Sequence, residues 1–141
     1  MLKTVITFEE EAIDAAAIRT RMKEVERDGN PWLLAEENGT VLGYAYAAKW
    51  KSRCAYRDAV ESAVYLKEDA SGSGLGSALY AKLLEELRVR GRHFVLGGIA
   101  LPNDASVRLH EKLGFKKAAH FHEIGFKFGE RIDVGYWELL L

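Results

Sequence analysis

Ser71-Gly72-Ser73-Gly74-Leu75-Gly76 sets three glycines at alternate positions directly before a helical pattern. Each glycine lets the backbone approach a ligand closely or take positive φ. Their amides, with those of the first helical turn, can converge on one anion, and the helix N-terminus adds partial positive charge. The chemistry indicated is a phosphate or pyrophosphate cradle. A dinucleotide fingerprint would need a third glycine at Ser77 or Leu79, and a P-loop would end in Gly-Lys-Ser/Thr; neither spelling is present. The same run could also be no more than a flexible helix entry. His120 and His122 alternate on one strand and share a face with Glu123 close by. A metal site there lacks an evident third ligand, so none is expected. Cys54 is the single cysteine, which excludes an intramolecular disulfide and a thiolate metal cluster.

The elements that must position these groups follow from periodicity. Residues 2–7 are short and β-like, and a helix is expected over about 14–28, ending near Asp28-Gly29-Asn30. Residues 32–36 and 41–48 read as strands joined by the hairpin signal Asn38-Gly39. Residues 49–58 are polar, basic and aromatic and read as a loop, before a strand at 60–66. After the glycine run, Leu79, Leu83 and Leu87 recur every four residues beside Tyr80 and Leu84, giving a helix with one buried stripe, closed by Gly91. Residues 93–100 form an apolar interior strand, and Asn103-Asp104 caps a short helix that Gly114 ends. Two last strands, about 117–126 and 131–140, turn at Gly129. This order suggests an α/β sandwich around a mixed sheet.

Composition narrows the classes. The 141 residues fit one domain, 1–141. A net charge of −1 gives no general drive toward nucleic acid or an anionic membrane. No apolar run approaches the ~18 residues that span a bilayer, and residues 1–7 do not read as a signal peptide. A cytoplasmic protein is the expectation.

Ser71–Gly76 resembles the acyl-CoA loop of the GNAT superfamily of N-acetyltransferases. Gly74 and Gly76 match that pattern, while Ser71 stands where Gln or Arg is usual. The stretches NPWLLAEENGTVLGYAYAAKWK, WKSRCAYRDAVESAVYL, LGSALYAKLL, GIALPNDASVRLHEKLGF and GFKFGERIDVGYW are similar to the phosphinothricin and methionine sulfoximine acetyltransferase branch. The similarity covers roughly residues 4–138. The implied fold is a mixed, mostly antiparallel central sheet flanked by helices, with the family's first strand and helix reduced or absent.

The resemblance implies the roles. Acetyl transfer needs a neutral amine, so a base must take its proton. Glu61 matches the branch's catalytic glutamate; a solvent-facing strand carboxylate is the plain alternative. His110 matches the position of the acid that protonates the CoA thiolate, with a structural histidine as its alternative. The main chain of Val64, Tyr65 and Leu66, the loop Ser71, Gly72, Ser73, Gly74, Leu75, Gly76 and Ser77, and the amide of Asn103 would hold acetyl-CoA. Asn103 could equally be a helix cap. Lys51, Arg53 and Tyr56, with Phe8, would take the acceptor, since Arg can grip a carboxylate with both nitrogens; a solvated basic loop is the alternative. No metal is needed.

The implied reaction is acetylation of the α-amine of phosphinothricin, methionine sulfoximine, methionine sulfone or a related amino acid. A non-catalytic acyl-CoA-binding module and a protein or peptide N-acetyltransferase are the alternatives. An uncovered sheet edge at the shortened N-terminus would favour a homodimer, with exchange of N-terminal elements as one form of it.

Overall fold

The computed structural model describes residues 15–67 and 74–141; the readings made for residues 2–7, for Phe8 and for Ser71, Gly72 and Ser73 lie outside them. Three helices, α1 (Ala15–Arg27), α2 (Leu75–Val89) and α3 (Asp104–Lys112), flank one six-stranded sheet. Its strands are β1 (Trp32–Glu37), β2 (Thr40–Lys49), β3 (Ala59–Leu66), β4 (Phe94–Leu101), β5 (Lys116–Lys127) and β6 (Glu130–Leu140). The spatial order is β1-β2-β3-β4-β6-β5. All neighbours are antiparallel except β3 and β4, which run parallel. The mixed, mostly antiparallel sheet is the expected one.

Local chemistry explains most boundaries. Asn38 and Gly39 both take positive φ, as a tight hairpin turn requires, and Phe128-Gly129 repeats the device between β5 and β6. Gly91, at φ +78, follows the C-cap of α2. In the stretch read as a loop, Cys54–Tyr56 forms a single 3-10 turn. Arg92 ties the end of α1 to the starts of β3 and β4. Its Nε donates to Asn30 Oδ1 at 2.8 Å, and its Nη2 to the Asp28 carbonyl at 3.0 Å. Its Nη1 lies 3.9 Å from Asp58.

The two faces of the sheet differ. Leu79, Tyr80, Leu83, Leu84 and Leu87 of α2 pack on Ala45, Ala47, Val60, Val95, Ile99 and Trp137, with Phe115 closing the cluster. Burying each leucine contributes about 1.5–3 kcal/mol. Tyr46 and Ala48, the alternate residues of β2, face the other way, beside Arg21, Glu24 and Val25 of α1.

One irregularity in the sheet creates the site. The β3–β4 ladder consists of four pairs, from Ala59 with Phe94 to Ser62 with Gly97. Both strands continue for four more residues without pairing to each other, while β3 stays paired with β2 up to Leu66 and β4 with β6 up to Leu101. The sheet therefore splits at Ser62 and Gly97.

Candidate active site

A cleft of about 420 Å³ occupies the split. Its walls include Glu61, Ser62, Val64 and Tyr65 of β3, Gly98 and Ile99 of β4, Tyr80 of α2, Asn103 and His110 at α3, and Tyr136 of β6. Because strand residues alternate between faces, the cleft presents two chemistries.

On the α1 face stands Glu61, paired across the ladder with Ala48. Burial raises its pKa above the usual carboxylate range, and the charge of Lys51 pulls it part of the way back. Gly98 lies beside it. A methyl group there would sit 3.1 Å from the Tyr136 ring and 3.5 Å from Glu61 Oε2. The Tyr136 phenol is raised by its own burial and by the Glu61 charge. A row of aromatic rings leads toward this corner. Trp32 stacks on Tyr46 at 4.3 Å and on Tyr44 at 5.3 Å, and Tyr44 meets Tyr65 at 5.1 Å.

On the α2 and α3 face runs a buried chain of hydrogen bonds. Ser62 Oγ and Tyr80 Oη are 2.5 Å apart, and Tyr80 Oη lies 2.9 Å from His110 Nε2. His110 Nδ1 is 2.8 Å from the Ser106 carbonyl, which can only accept. Burial lowers the His110 pKa, and that carbonyl partly restores it, so the ring is neutral at pH 7. A neutral ring with its proton on Nδ1 accepts at Nε2, so Tyr80 donates to it and Ser62 can donate to Tyr80. Burial also raises the Tyr80 phenol well above its ordinary range. Gly97 makes room for the ring: a Cβ there would meet His110 Nε2 at 2.6 Å.

Asn103 caps α3, its Oδ1 accepting from Ser106 N–H at 3.2 Å. Cap and cleft wall thus coincide in one residue. At the mouth of α2, Gly74 takes φ +81 and forms the N-cap with no side-chain bond. Gly76 is buried, and a methyl group there would come within 3.2 Å of Leu66 Cδ1. Lys112 Nζ donates to Ser77 Oγ at 3.4 Å, placing a cation at this helix start.

The structure thus brings Glu61, Val64, Tyr65, Asn103 and His110 to one cleft, with Leu66, Leu75, Gly76 and Ser77 at the entry of α2. Arg53 and Tyr56 are exposed and line a separate depression with Trp50, Lys51 and Ser52. Lys51 is the member of that group whose charge reaches Glu61. Sequence reasoning missed Ser62, Tyr80, Gly97, Gly98, Tyr136 and Lys112. Tyr80 had a signal, a phenol within a leucine stripe, since a buried phenol requires a partner. The others are defined by pairing across the sheet, which spacing does not encode.

Residues 4–115 match the Acetyltransferase (GNAT) family. Among curated relatives, phosphinothricin N-acetyltransferase of Streptomyces viridochromogenes is 46% identical over 79% of this chain and 61% of its own length. The L-methionine sulfoximine/L-methionine sulfone acetyltransferase of Salmonella typhimurium is 42% identical over 80% of this chain and 66% of its own. The chain thus matches less than two-thirds of the length of either relative. The solved structure of yncA from Salmonella typhimurium, determined with its cofactor acetyl-CoA, superposes with a TM-score of 0.95 at 36% identity. That superposition covers 99% of this chain and 81% of that one. A split sheet with a glycine-entered helix beside the split, and this match over most of its length, place the chain in the acetyltransferase (GNAT) family.

Proposed function

We propose that the chain transfers an acetyl group from acetyl-CoA to the α-amine of a small amino acid of the phosphinothricin or methionine sulfoximine type. The observation that carries this reading is the placement of Glu61 and the Ser62–Tyr80–His110 chain on opposite faces of one gap in the sheet. A base and a leaving-group donor can then approach one carbonyl from two sides.

The cleft suits an extended amide-bearing arm. The β3–β4 ladder ends at Ser62, so the backbone groups of Val64 and Leu66, which point toward β4, can pair with such an arm as an added strand. Asn103 stands opposite with an amide that offers donors as well as its capping oxygen. The α2 entry, with Lys112 beside it, suits phosphates. Bound acetyl-CoA supplies an activated acyl carbon. Glu61, its pKa raised by burial, takes the ammonium proton directly or through water. The single O–H of Tyr80, given to His110 Nε2 in the resting cleft, turns to the departing sulfur as the C–S bond breaks, and the Ser62 hydroxyl then donates to the phenolate left behind; His110, with both ring nitrogens engaged, positions Tyr80. On the Glu61 face, Lys51 offers a cation for a carboxylate or phosphinate, and the Tyr46–Trp32–Tyr44 row gives an apolar wall.

The reaction is tested by CoA release across phosphinothricin, methionine sulfoximine, methionine sulfone and the common amino acids. Release with the analogues supports the acceptor class. Release with none of them, while acetyl-CoA still binds in calorimetry, would leave a binding module instead. Glu61→Gln is expected to lower turnover by about 10²–10⁴-fold with acetyl-CoA affinity unchanged.

The homodimer is likewise our proposal. Phe121, Ile124, Phe126 and Phe128 are exposed along and just beyond the edge strand β5. A row of that kind on a sheet edge favours a second copy. Sedimentation at high micromolar concentration checks it: a sharp monomer would exclude it.

A further inference from the structure

We infer that His120, His122 and Asp133, on β5 and β6, form a binding site for a divalent transition-metal ion of the zinc class. The side chains come from two strands and converge. One ligand atom from each lies within 4.8 Å of the other two. The imidazoles stack with centroids 4.5 Å apart and planes 19° from parallel. His120 pairs across the ladder with Gly135, and Asp133 stands two residues before Gly135 on the same face of β6.

A bulge organises the group. The β5–β6 register shifts between Phe121 and Gly125, and Glu123 takes φ +54. That turn aims the Glu123 N–H at Asp133 Oδ1, 2.8 Å away. One carboxylate oxygen is thereby fixed, and Oδ2 is left facing His120 Nε2 at 2.9 Å. Lys117 Nζ donates to His120 Nδ1 at 2.9 Å. An ammonium cannot accept, so the His120 ring proton sits on Nε2, shared with Asp133. A metal ion would replace that proton.

The chemistry of the donors selects the ion. Two imidazoles and one carboxylate suit zinc, nickel or copper rather than magnesium or calcium, which require more oxygens. Zinc with such ligands sets donor atoms about 3.3–3.5 Å apart, from metal–ligand lengths near 2.0–2.1 Å. The atoms farthest apart, within 4.8 Å, must close by up to about 1.5 Å, while His120 Nε2 and Asp133 Oδ2, now 2.9 Å apart, open by about half an ångström, changes within reach of side-chain rotation. The fourth position would be water. The Glu123 N–H and Lys117 serve as outer partners that orient the ligands. Lys117 also opposes the ion with its own charge, so the site is expected to be of moderate affinity.

Zinc chloride titrated calorimetrically into the full chain tests the site, with His122→Ala, Asp133→Asn and Cys54→Ser run in parallel. One site is expected in the parent and in Cys54→Ser, weakened about tenfold or more in the other two. A rise in Tm with zinc should follow the same pattern, and matching Tm values without zinc show that the exposed substitutions leave the fold intact. Cobalt(II) should give visible ligand-field bands that His122→Ala loses. No binding by the parent would overturn the proposal, as would equal binding by His122→Ala or loss of binding with Cys54→Ser.

Discussion

At the scale of single residues, two ionisable groups of the cleft are displaced in opposite directions by the same cause. Burial favours the neutral form of each, raising Glu61 and lowering His110. The folded state therefore holds the Glu61 proton more tightly than the unfolded chain does, and stability falls as pH rises through that pKa. Glu61→Gln should accordingly melt higher than the parent at pH 8 even as turnover collapses. The opposite holds for His110: stability is lost as pH falls below the ordinary imidazole value of 6.5, because the unfolded chain binds the proton better. In kcat/KM against pH, the acid limb should lie above the range of a solvated carboxylate, and no such limb should survive in Glu61→Gln. Glu61 and His110 were legible in the sequence through family resemblance. Tyr80 was not, because the leucine stripe around it explains its burial without calling on its hydroxyl.

At the scale of elements, most of the fold was legible because its signals are local. Leu79, Leu83 and Leu87 announce α2, and Asn38-Gly39 and Gly91 punctuate their neighbours without help from distant residues. Pairing between strands is another matter. Gly97 reads in sequence as one more small residue of an apolar strand, yet its missing side chain is what admits the His110 ring. Gly97→Ala should cost about 1–3 kcal/mol through overpacking and should lower turnover by displacing that ring. Urea unfolding and CoA release measure the two effects separately. Asp133 is illegible for a similar reason. Only the bulged register of β5 on β6 carries it to His120, and no spacing along the chain encodes a bulge. Arg92 binds elements together in the same nonlocal way. Arg92→Ala should destabilise the fold by about 2–3 kcal/mol, since it leaves Asn30, buried to 3% exposure, without its charged donor.

At the scale of the whole molecule, ligand and fold are linked. Acetyl-CoA at a hundred times its Kd should stabilise the chain by about 2.7 kcal/mol, read as a rise in Tm. The reach of that effect depends on the sheet. β1, β2 and β3 form one half and β4, β6 and β5 the other, and four residue pairs of a parallel ladder join them. The amides of Val64 and Leu66, which point toward β4, lie beyond the last β3–β4 pair. In deuterated water they should exchange early in the free protein, far ahead of the paired amides of Ala59–Ser62, and slow sharply once acetyl-CoA is added. The cosubstrate would then serve as the seventh strand of the sheet, and its residence time would set how long the two halves behave as one.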